Sequence, residues 1–331
     1  IAYSLTFDDS FKFLIPFSLI LIPLFLSLFF SLPIIFIGYF VDLKISSIIL
    51  ISLLLSIFDF LRSFILTGFP WNLWAYSFSW SQESLQILSV IGIFSFNLLL
   101  ITMFFLPAVL FFRGKSKYFF ISFFVVLAFI NYFYGSYQIN SESRDYVEKK
   151  INFKIVSAGT NLSEFKDPNL IIRKLITFSE PNKDQETIFV WPEGVILDVN
   201  FKKRDEIKKL FRENFSKKHM IILGANTKKT DNQNENFYNS LIIIDRDLNI
   251  IGQYDKKKLV PFGEFLPFEK TLNRIGLKKI TPGYSSFSSG EGKDIINLKF
   301  DSNDINILPL ICYEIIFPNL VDKQYNYNLI I

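Results

Sequence analysis

Long stretches with few or no charged residues dominate the first 140 positions of this 331-residue chain and limit what it can fold into. A helix needs roughly 20 mostly apolar residues to cross the hydrocarbon core of a bilayer. Half of all residues are hydrophobic and Phe alone occurs 40 times, which is more than soluble domains usually carry. The sequence therefore predicts a transmembrane helical bundle over residues 1–140, with spans at about 13–41, 45–66, 84–112 and 118–139.

The second predicted span contains two charged residues, Asp59 and Arg62. Ionisable residues inside a membrane usually pair with one another or mark a transport pathway. Residues three apart share a helix face, so these two side chains are placed to form an ion pair. A structural pair and a transport site are both open on this pattern alone.

The charges of the short loops predict the orientation of the bundle. Lys44 follows the first span, and Arg113, Lys115 and Lys117 lie between the third and fourth spans, whereas residues 68–82 contain no Lys or Arg. Short loops rich in Lys and Arg stay on the cytoplasmic side. With four spans, the rest of the chain is expected on the opposite side, which is the periplasm for a bacterial inner membrane.

After about residue 150 the pattern changes to short apolar runs that alternate with amphipathic stretches. Strands separated by helices are typical of an α/β sandwich. A helix is predicted over 201–218, where apolar residues recur on one face. Strands are predicted at 153–156, 187–191, 220–225, 240–245, 250–254, 305–311 and 329–331. We expect an α/β domain over residues 150–331, and a chain truncated at both ends because it begins at Ile1 and stops in a strand-like run.

Composition excludes several kinds of function. The net charge of +4 is small, and no basic run is interleaved with aromatic residues, so a nucleic-acid partner is not expected. The single histidine, His219, excludes multi-histidine metal sites, and no metal or cofactor is predicted. The single cysteine, Cys312, excludes an internal disulfide and is either a core residue or a nucleophile. An unpaired thiol in an oxidising compartment favours the nucleophile.

Three short motifs resemble the nitrilase superfamily and occur in the order of that superfamily. They are Val190-Trp191-Pro192-Glu193, Tyr254-Asp255-Lys256 continuing to Gly263-Glu264, and Leu310-Ile311-Cys312-Tyr313-Glu314. Each motif is weak alone, because a Glu after Trp-Pro is usually a loop carboxylate and a Lys within a triplet usually faces solvent. Together, with the only cysteine in the nucleophile position, they imply an αββα sandwich with a Glu193, Lys256 and Cys312 triad.

The predicted membrane half resembles one branch of this superfamily, the apolipoprotein N-acyltransferases. The matching segments are Leu61-Arg62, Leu66 to Trp71, Gln86 to Phe94 and, before the cysteine, Thr281-Pro282-Gly283. This family joins a membrane bundle to a periplasmic nitrilase-like domain, and it favours a structural pairing of Asp59 with Arg62. The chain departs from the family between residues 161 and 168, where Phe165 stands at a position that usually holds a Trp.

The resemblance implies an acyl transfer through a thioester. Cys312 would attack an ester carbonyl of a phospholipid, Glu193 would take the thiol proton, and Lys256 would stabilise the oxyanion and favour the thiolate. The α-amino group of the N-terminal diacylglyceryl-cysteine of an apolipoprotein would then accept the acyl chain as an amide. The implied partners are a phospholipid, an apolipoprotein and the membrane.

The resemblance also gives supporting roles to three residues. Glu264 and Glu314 are expected to assist the base and the second step, and Tyr313 is expected to shape the pocket. On sequence grounds the two lysines that follow Lys256 compete with it for the cationic role, and only the spacing in the family selects Lys256.

Other readings use the same residues differently. With water as the acceptor, the protein would be a membrane-tethered amidase or nitrilase-type hydrolase with the same Glu-Lys-Cys site. A transporter or receptor whose external domain only resembles nitrilases would not need these residues. Cys312 would pair with His219 in a cysteine–histidine design, but no third group that orients the imidazole is evident.

Overall fold

The chain divides into two compact units, Ile1–Tyr146 and Val147–Ile331. The computed structural model describes residues 12–13, 15–65, 68, 72–141, 151–157, 159, 167–197, 200–231, 234–261, 263–266, 269, 286–292, 295–300, 303–321 and 326–331. Some motif residues lie outside these ranges, namely Leu66, Thr67, Phe69, Pro70, Trp71, Phe165 and Thr281 to Gly283.

The first unit is helical throughout its described elements. Its helices are α1 (Ile15–Ile37), α2 (Ile45–Arg62), α3 (Gln82–Leu85), α4 (Leu88–Phe104), α5 (Leu106–Val109) and α6 (Ser116–Ser141). Among the described residues, α1, α2 and α6 are the helices long and apolar enough to cross a membrane. Most of their large apolar side chains are exposed, as expected for surfaces that face lipid.

The stretch predicted as the third span is interrupted. The sequence predicts one span over 84–112, whereas the structure divides this stretch among α3, α4 and α5. Gly92 lies within α4 but has a φ of 74° and a ψ of 168°, which breaks the regular helix. Pro107, in the first turn of α5, has no N–H with which to continue a preceding helix. The longest helix of this stretch, α4, has 17 residues and includes the kink at Gly92.

A buried polar network ties α2 to α4 and to the short 3-10 helix Trp74–Phe78 before α3. Arg62 Nη2 donates to Asp59 Oδ1 at 2.9 Å, which confirms the pairing predicted from their spacing. Asn97 Nδ2 donates to Asp59 Oδ2 at 3.0 Å, and Asn97 Oδ1 accepts from the backbone N–H of Ala75 at 3.0 Å. These contacts fit a structural role better than a transport site, because each carboxylate oxygen of Asp59 already has a partner.

Within its described residues, the second unit contains two β-sheets and two α-helices. The first sheet has the order β1 (Asn152–Ile155), β2 (Thr187–Val190), β3 (His219–Asp231), β4 (Asn234–Ile244) and β5 (Ile250–Asp255). The first three strands are parallel, and β3, β4 and β5 are antiparallel. The second sheet is formed by β6 (Ile296–Phe300), β7 (Asn303–Leu308) and β8 (Leu329–Ile330). The helices are α7 (Pro168–Ser179) and α8 (Asp205–Asn214).

The two faces of the first sheet bury different cores, because successive side chains of a strand point to opposite sides. On one face, Phe189 and Ile221 pack with apolar residues of α7 and α8. On the other face, Ile188 and Ile222 pack with residues of β6 and β7. The described layers are thus helices, a five-stranded sheet and a three-stranded sheet, as the predicted α/β sandwich requires.

Candidate active site

Glu193 lies in a tight turn directly after β2. The preceding Trp191 is buried and donates from its indole N–H to Ser179 Oγ at 2.9 Å, which anchors the end of the strand. Gly194 continues the turn with a φ of 62°. The turn lies directly against β3 at Gly224, where an added Cβ would be 2.5 Å from the Cα of Glu193. The position of Glu193 therefore depends on a glycine in the neighbouring strand.

Lys256 follows the last residue of β5 and is almost completely buried. Its side chain is 1% exposed, and its Nζ lies 2.8 Å from Glu264 Oε1 and 3.5 Å from Glu193 Oε1. Of the three consecutive lysines, Lys256 is thus the one whose ammonium is shown beside Glu193 and Glu264. Lys257 Nζ donates to the carbonyl of Gly292, while the Lys258 ammonium lies over the ring of Phe317.

The two carboxylates differ in how many oxygens are already engaged. Glu264 accepts through Oε1 from Lys256 and from Asn239 Nδ2, and through Oε2 from the backbone N–H of Val260 at 2.9 Å. Glu193 accepts from Asn239 Nδ2 through Oε1, and its Oε2 has no hydrogen-bond partner among the described residues. Only Glu193 therefore has an oxygen available to receive a proton.

Asn239 is the site residue that sequence reasoning missed. It lies in β4, it is buried, and its Nδ2 bridges Glu193 and Glu264 at 2.9 and 2.7 Å. Its backbone carbonyl also accepts from the N–H of Lys256 at 2.9 Å. A polar Asn-Ser pair directly before the apolar run of β4 was the signal in the sequence.

Cys312 lies at the start of a short 3-10 helix that follows β7; the residue as a whole is exposed, while its thiol group is about half-buried. Its φ of 55° is in the left-handed region, where a residue with a Cβ is strained. Cys312 and Glu193 line one cavity of about 150 Å³, with walls that are mainly apolar. The remaining lining residues are Val190, Trp191, Ile222, Leu223, Gly224, Ser240, Leu241, Leu310, Ile311 and Ile331.

The charges around the thiol act in opposite directions. Burial raises the pKa of the Cys312 thiol above its ordinary value, and the carboxylate of Glu193 raises it further. The Lys256 ammonium and the backbone N–H of Tyr313 lower this pKa, but they do not outweigh the first two effects. Lys256 was expected to favour the thiolate, and its contribution has that sign, yet the thiol is protonated at neutral pH.

Lys256 itself stays charged. Burial alone would lower the pKa of its ammonium, but the neighbouring carboxylates of Glu264 and Glu193 raise it above its ordinary value. The site therefore combines a permanent cation, a carboxylate with an available oxygen and a protonated thiol. Such a set can add a nucleophile to a carbonyl group and stabilise the resulting oxyanion.

Glu314 connects the turn of the cysteine to the turn of the lysine. It is fully buried, and it accepts from the Tyr254 hydroxyl, from the backbone N–H groups of Lys257 and Lys258, and from the N–H of Ile311. With its oxygens engaged in this way, Glu314 positions the two turns and is not placed to exchange protons with a substrate.

Tyr313 packs beside the charged groups. Its hydroxyl donates to the carbonyl of Leu259 at 2.7 Å, and the Lys256 ammonium lies 5.5 Å from the centre of its ring. Burial and then the carboxylate of Glu264 raise the pKa of the Tyr313 hydroxyl, so it remains a neutral hydrogen-bond donor. The expected role of Tyr313 in shaping the pocket stays a prediction, because Tyr313 is not among the residues that line the cavity.

His219 is not near the thiol. It is buried at the first residue of β3, whereas Glu193 and the cavity lie beyond the opposite end of β2. Its Nδ1 accepts from the N–H of Ser216, and its Nε2 lies 2.8 Å from the carbonyl of Asn182. The alternative of a cysteine–histidine pair is therefore wrong, since both ring nitrogens have structural partners elsewhere.

Among the described residues, His, Cys, Asp and Glu side chains form no group of three that could hold a metal ion.

Comparisons with known proteins agree with this arrangement. Residues 1–106 match the apolipoprotein N-acyltransferase N-terminal domain, and residues 185–325 match the carbon-nitrogen hydrolase domain. The chain is 28% identical over 324 residues to the apolipoprotein N-acyltransferase of Rhizobium rhizogenes, covering 94% of this chain and 60% of that protein. It is 29% identical over 313 residues to the protein of the same name from Rickettsia prowazekii, covering 93% and 61%. The chain thus spans about 60% of the length of these curated relatives.

Solved structures resemble part of the chain. One is a mutant of the amidase from Nesterenkonia sp. AN1, which carries the acetamide moiety of fluoroacetamide covalently at its active-site cysteine. It matches 52% of this chain and 56% of its own chain, with 15% sequence identity and a TM-score of 0.27. Nit3 of Saccharomyces cerevisiae, a member of the nitrilase superfamily, matches 51% and 55% at 18% identity and a TM-score of 0.26. The domain matches and the curated relatives, by contrast, extend over both halves of the chain. The chain is therefore a homologue of the apolipoprotein N-acyltransferases, a membrane protein in which apolar N-terminal helices precede a nitrilase-like α/β domain.

Proposed function

We propose that this chain carries the acyl-transfer site of lipoprotein maturation. An acyl chain would pass from a phospholipid to Cys312 and then to the α-amino group of the N-terminal diacylglyceryl-cysteine of an apolipoprotein. The observation that carries the proposal is that Glu193 and the single thiol line one cavity, and that the Lys256 ammonium lies 3.5 Å from the carboxylate of Glu193. The homology of both halves of the chain supports the choice of substrates.

The first step needs a base. Because burial and Glu193 raise the pKa of the thiol, little thiolate is present at neutral pH, and the proton must leave as the carbon–sulfur bond forms. Glu193 Oε2 receives it, since that oxygen has no partner among the described residues. The ester carbon–oxygen bond then breaks, and Glu193 returns the proton to the departing lysophospholipid alcohol.

The oxyanion that develops on the ester carbonyl needs a positive group held in advance. Lys256 supplies it, because its ammonium is buried and stays protonated between the two carboxylates. Glu264 cannot replace Glu193 as the base, since both of its oxygens already accept hydrogen bonds. Its role is to hold Lys256.

The second step reverses the direction of proton transfer. The acceptor amine attacks the thioester carbonyl, the new carbon–nitrogen bond forms and the carbon–sulfur bond breaks. Glu193 takes a proton from the attacking amine and passes it to the departing sulfur of Cys312. The products are an N-acylated lipoprotein and the free thiol, so no cofactor is consumed.

A membrane location suits both substrates. Exposing each methylene of an acyl chain to water costs about 0.8 kcal/mol, so lifting one long chain from the bilayer costs more than about 10 kcal/mol. A catalyst anchored by its own apolar helices avoids this transfer. We propose that the basic loops containing Lys44 and Lys115 are cytoplasmic and that the catalytic unit faces the periplasm of a bacterial inner membrane.

The proposal is tested by following the acyl group. The chain is incubated with phospholipid vesicles, and its intact mass is measured before and after a diacylglyceryl lipopeptide is added. We expect an acyl adduct that is absent in Cys312→Ala and that moves to the peptide. An adduct that persists in Cys312→Ala contradicts the mechanism. Release of free fatty acid with an unmodified peptide supports the hydrolase alternative instead.

A further inference from the structure

The amide of Asn239 holds two carboxylates at once. Its Nδ2 lies 2.9 Å from Glu193 Oε1 and 2.7 Å from Glu264 Oε1, so its two hydrogens each have an acceptor. The same two oxygens flank the Lys256 ammonium, at 3.5 and 2.8 Å. One ammonium and one amide thus bridge the same pair of carboxylate oxygens.

The orientation of this amide follows from its neighbours. If the side chain were reversed, Oδ1 would face two carboxylate oxygens and the amide would donate a hydrogen bond to neither. In the observed orientation Oδ1 is buried without a hydrogen-bond partner among the described residues. A buried acceptor left unpaired lowers stability, so the placement of Asn239 serves the carboxylates at the expense of the fold.

We infer that Asn239 is a positioning residue that fixes Glu193 for proton transfer and keeps Lys256 between the two carboxylates. By holding Oε1 of Glu193, the amide leaves Oε2 of the same carboxylate for the thiol proton. This inference rests on the proposed function, because it assigns a role within the same reaction. Asn239 does not line the cavity and so is not expected to contact the acyl donor.

The charges around Glu193 make the effect of the amide measurable. Lys256 faces Glu193 from the end of β5, Cys312 faces it across the cavity, and Glu264 adds a second negative charge beyond Asn239. Hydrogen bonds donated to a carboxylate favour its charged form. Without the amide, the negative charge of the proposed base loses this hydrogen bond, so acylation should require a higher pH.

The experiment uses a small activated ester, p-nitrophenyl acetate, as the acyl donor. The burst of nitrophenolate and the intact mass of the acetylated chain give the acylation rate of Cys312 as a function of pH. For Asn239→Ala we expect the acylation rate to be about 10- to 100-fold lower at neutral pH. We also expect the acid limb, which is the low-pH side of the profile of rate against pH, to move upward by about one pH unit. The ester concentration at half-saturation should change little.

Two further variants separate positioning from packing. Asn239→Asp keeps the volume of the side chain but loses both amide donors, so its rate should fall at least as far as that of Asn239→Ala. Asn226→Ala removes the buried asparagine directly opposite in the β3–β4 pair, which does not contact the carboxylates, and should keep the wild-type acid limb.

The outcomes distinguish this inference from the proposed function. A uniform loss of rate with an unmoved acid limb in Asn239→Ala, or a wild-type profile in Asn239→Asp, overturns the positioning role. A wild-type chain that reacts with the small ester but never with phospholipid contradicts the proposed function and leaves the inference about Asn239 standing.

Discussion

At Cys312, two opposite charges compete for control of a single thiol. Glu193 opposes ionisation of the sulfur and Lys256 favours it, while burial adds to the effect of Glu193. A nucleophile that is protonated at rest is protected from unwanted alkylation and oxidation, because the thiolate is the reactive form. The same arrangement makes the reaction depend on a base at the moment of attack.

Removing either charge should move the ionisation of the thiol in a known direction. In Glu193→Gln the pKa of Cys312 falls, so the pH midpoint of its alkylation by iodoacetamide should drop by about one unit. In Lys256→Met the cation is lost, and the midpoint should rise by a similar amount. Because the chain has one cysteine, intact mass reports this alkylation without ambiguity.

In the Glu193→Gln variant, alkylation and acylation of Cys312 should change in opposite directions. At neutral pH, Cys312 of this variant should be alkylated faster than that of the wild type, yet it should not form the acyl adduct, because the proposed base is gone. Glu213→Gln changes an exposed carboxylate on α8 and should leave both measurements unchanged. A midpoint that rises in Glu193→Gln contradicts the assignment of the two charges.

The close approach of β3 to the turn after β2 controls the position of Glu193, the proposed base. Gly224 has no side chain, its N–H donates to the carbonyl of Pro192 at 3.2 Å, and Glu193 lies directly above it. The two strands pair in parallel through Val190 and Ile222, so this contact is fixed by the register of the sheet.

Replacing Gly224 with alanine should strongly lower the acylation rate of Cys312, with a smaller effect on the stability of the fold. The added Cβ would lie 2.5 Å from the Cα of Glu193 and from the backbone N of Gly194, so the turn must move. A displacement near 1 Å at a reacting group lowers rates by about 100-fold. The burst assay with p-nitrophenyl acetate measures this loss.

A second glycine offers a matched control. In Gly252→Ala the new Cβ would also lie 2.5 Å from its nearest neighbour, but that neighbour is a methyl group of Ile296. This variant should lower the thermal stability of the chain and reduce the acylation rate far less than Gly224→Ala. Equal rates for the two variants would show that the turn after β2 tolerates movement.

At the scale of the whole molecule, the proposed orientation rests on the short basic loops. Lys115 lies in the loop before α6, on the side proposed to be cytoplasmic, and Lys209 lies on the exposed face of α8 in the catalytic unit. The two positions should therefore lie on opposite sides of the membrane.

Labelling of introduced cysteines tests this arrangement. On a Cys312→Ser background, Lys209→Cys should react with a membrane-impermeant maleimide in intact spheroplasts. Lys115→Cys should react only after the membrane is permeabilised. Labelling of Lys115→Cys in intact spheroplasts, with Lys209→Cys protected, would reverse the proposed topology.

The sequence was sufficient for features that are local in the chain. Apolar helices are recognised by length and lack of charge, because each satisfies its own backbone hydrogen bonds. The strands predicted from short apolar runs correspond to β1 to β5, β7 and β8. Two elements were missed although their patterns are readable: β6, with alternating Ile296, Leu298 and Phe300, and α7, with Ile171 and Leu175 on one face.

Features that depend on contacts between residues far apart in the chain came from the folded structure. It placed the ammonium of Lys256 beside Glu264, gave the His219 ring a backbone partner in Asn182, and left Glu314 fully buried. It also brought Asn239 to Glu193, although 46 positions separate them in the chain. Sequence motifs identify the candidate reactive side chains. Their burial, their hydrogen-bond partners and the direction of a pKa shift depend on neighbouring residues, and these come together only when the sheet forms.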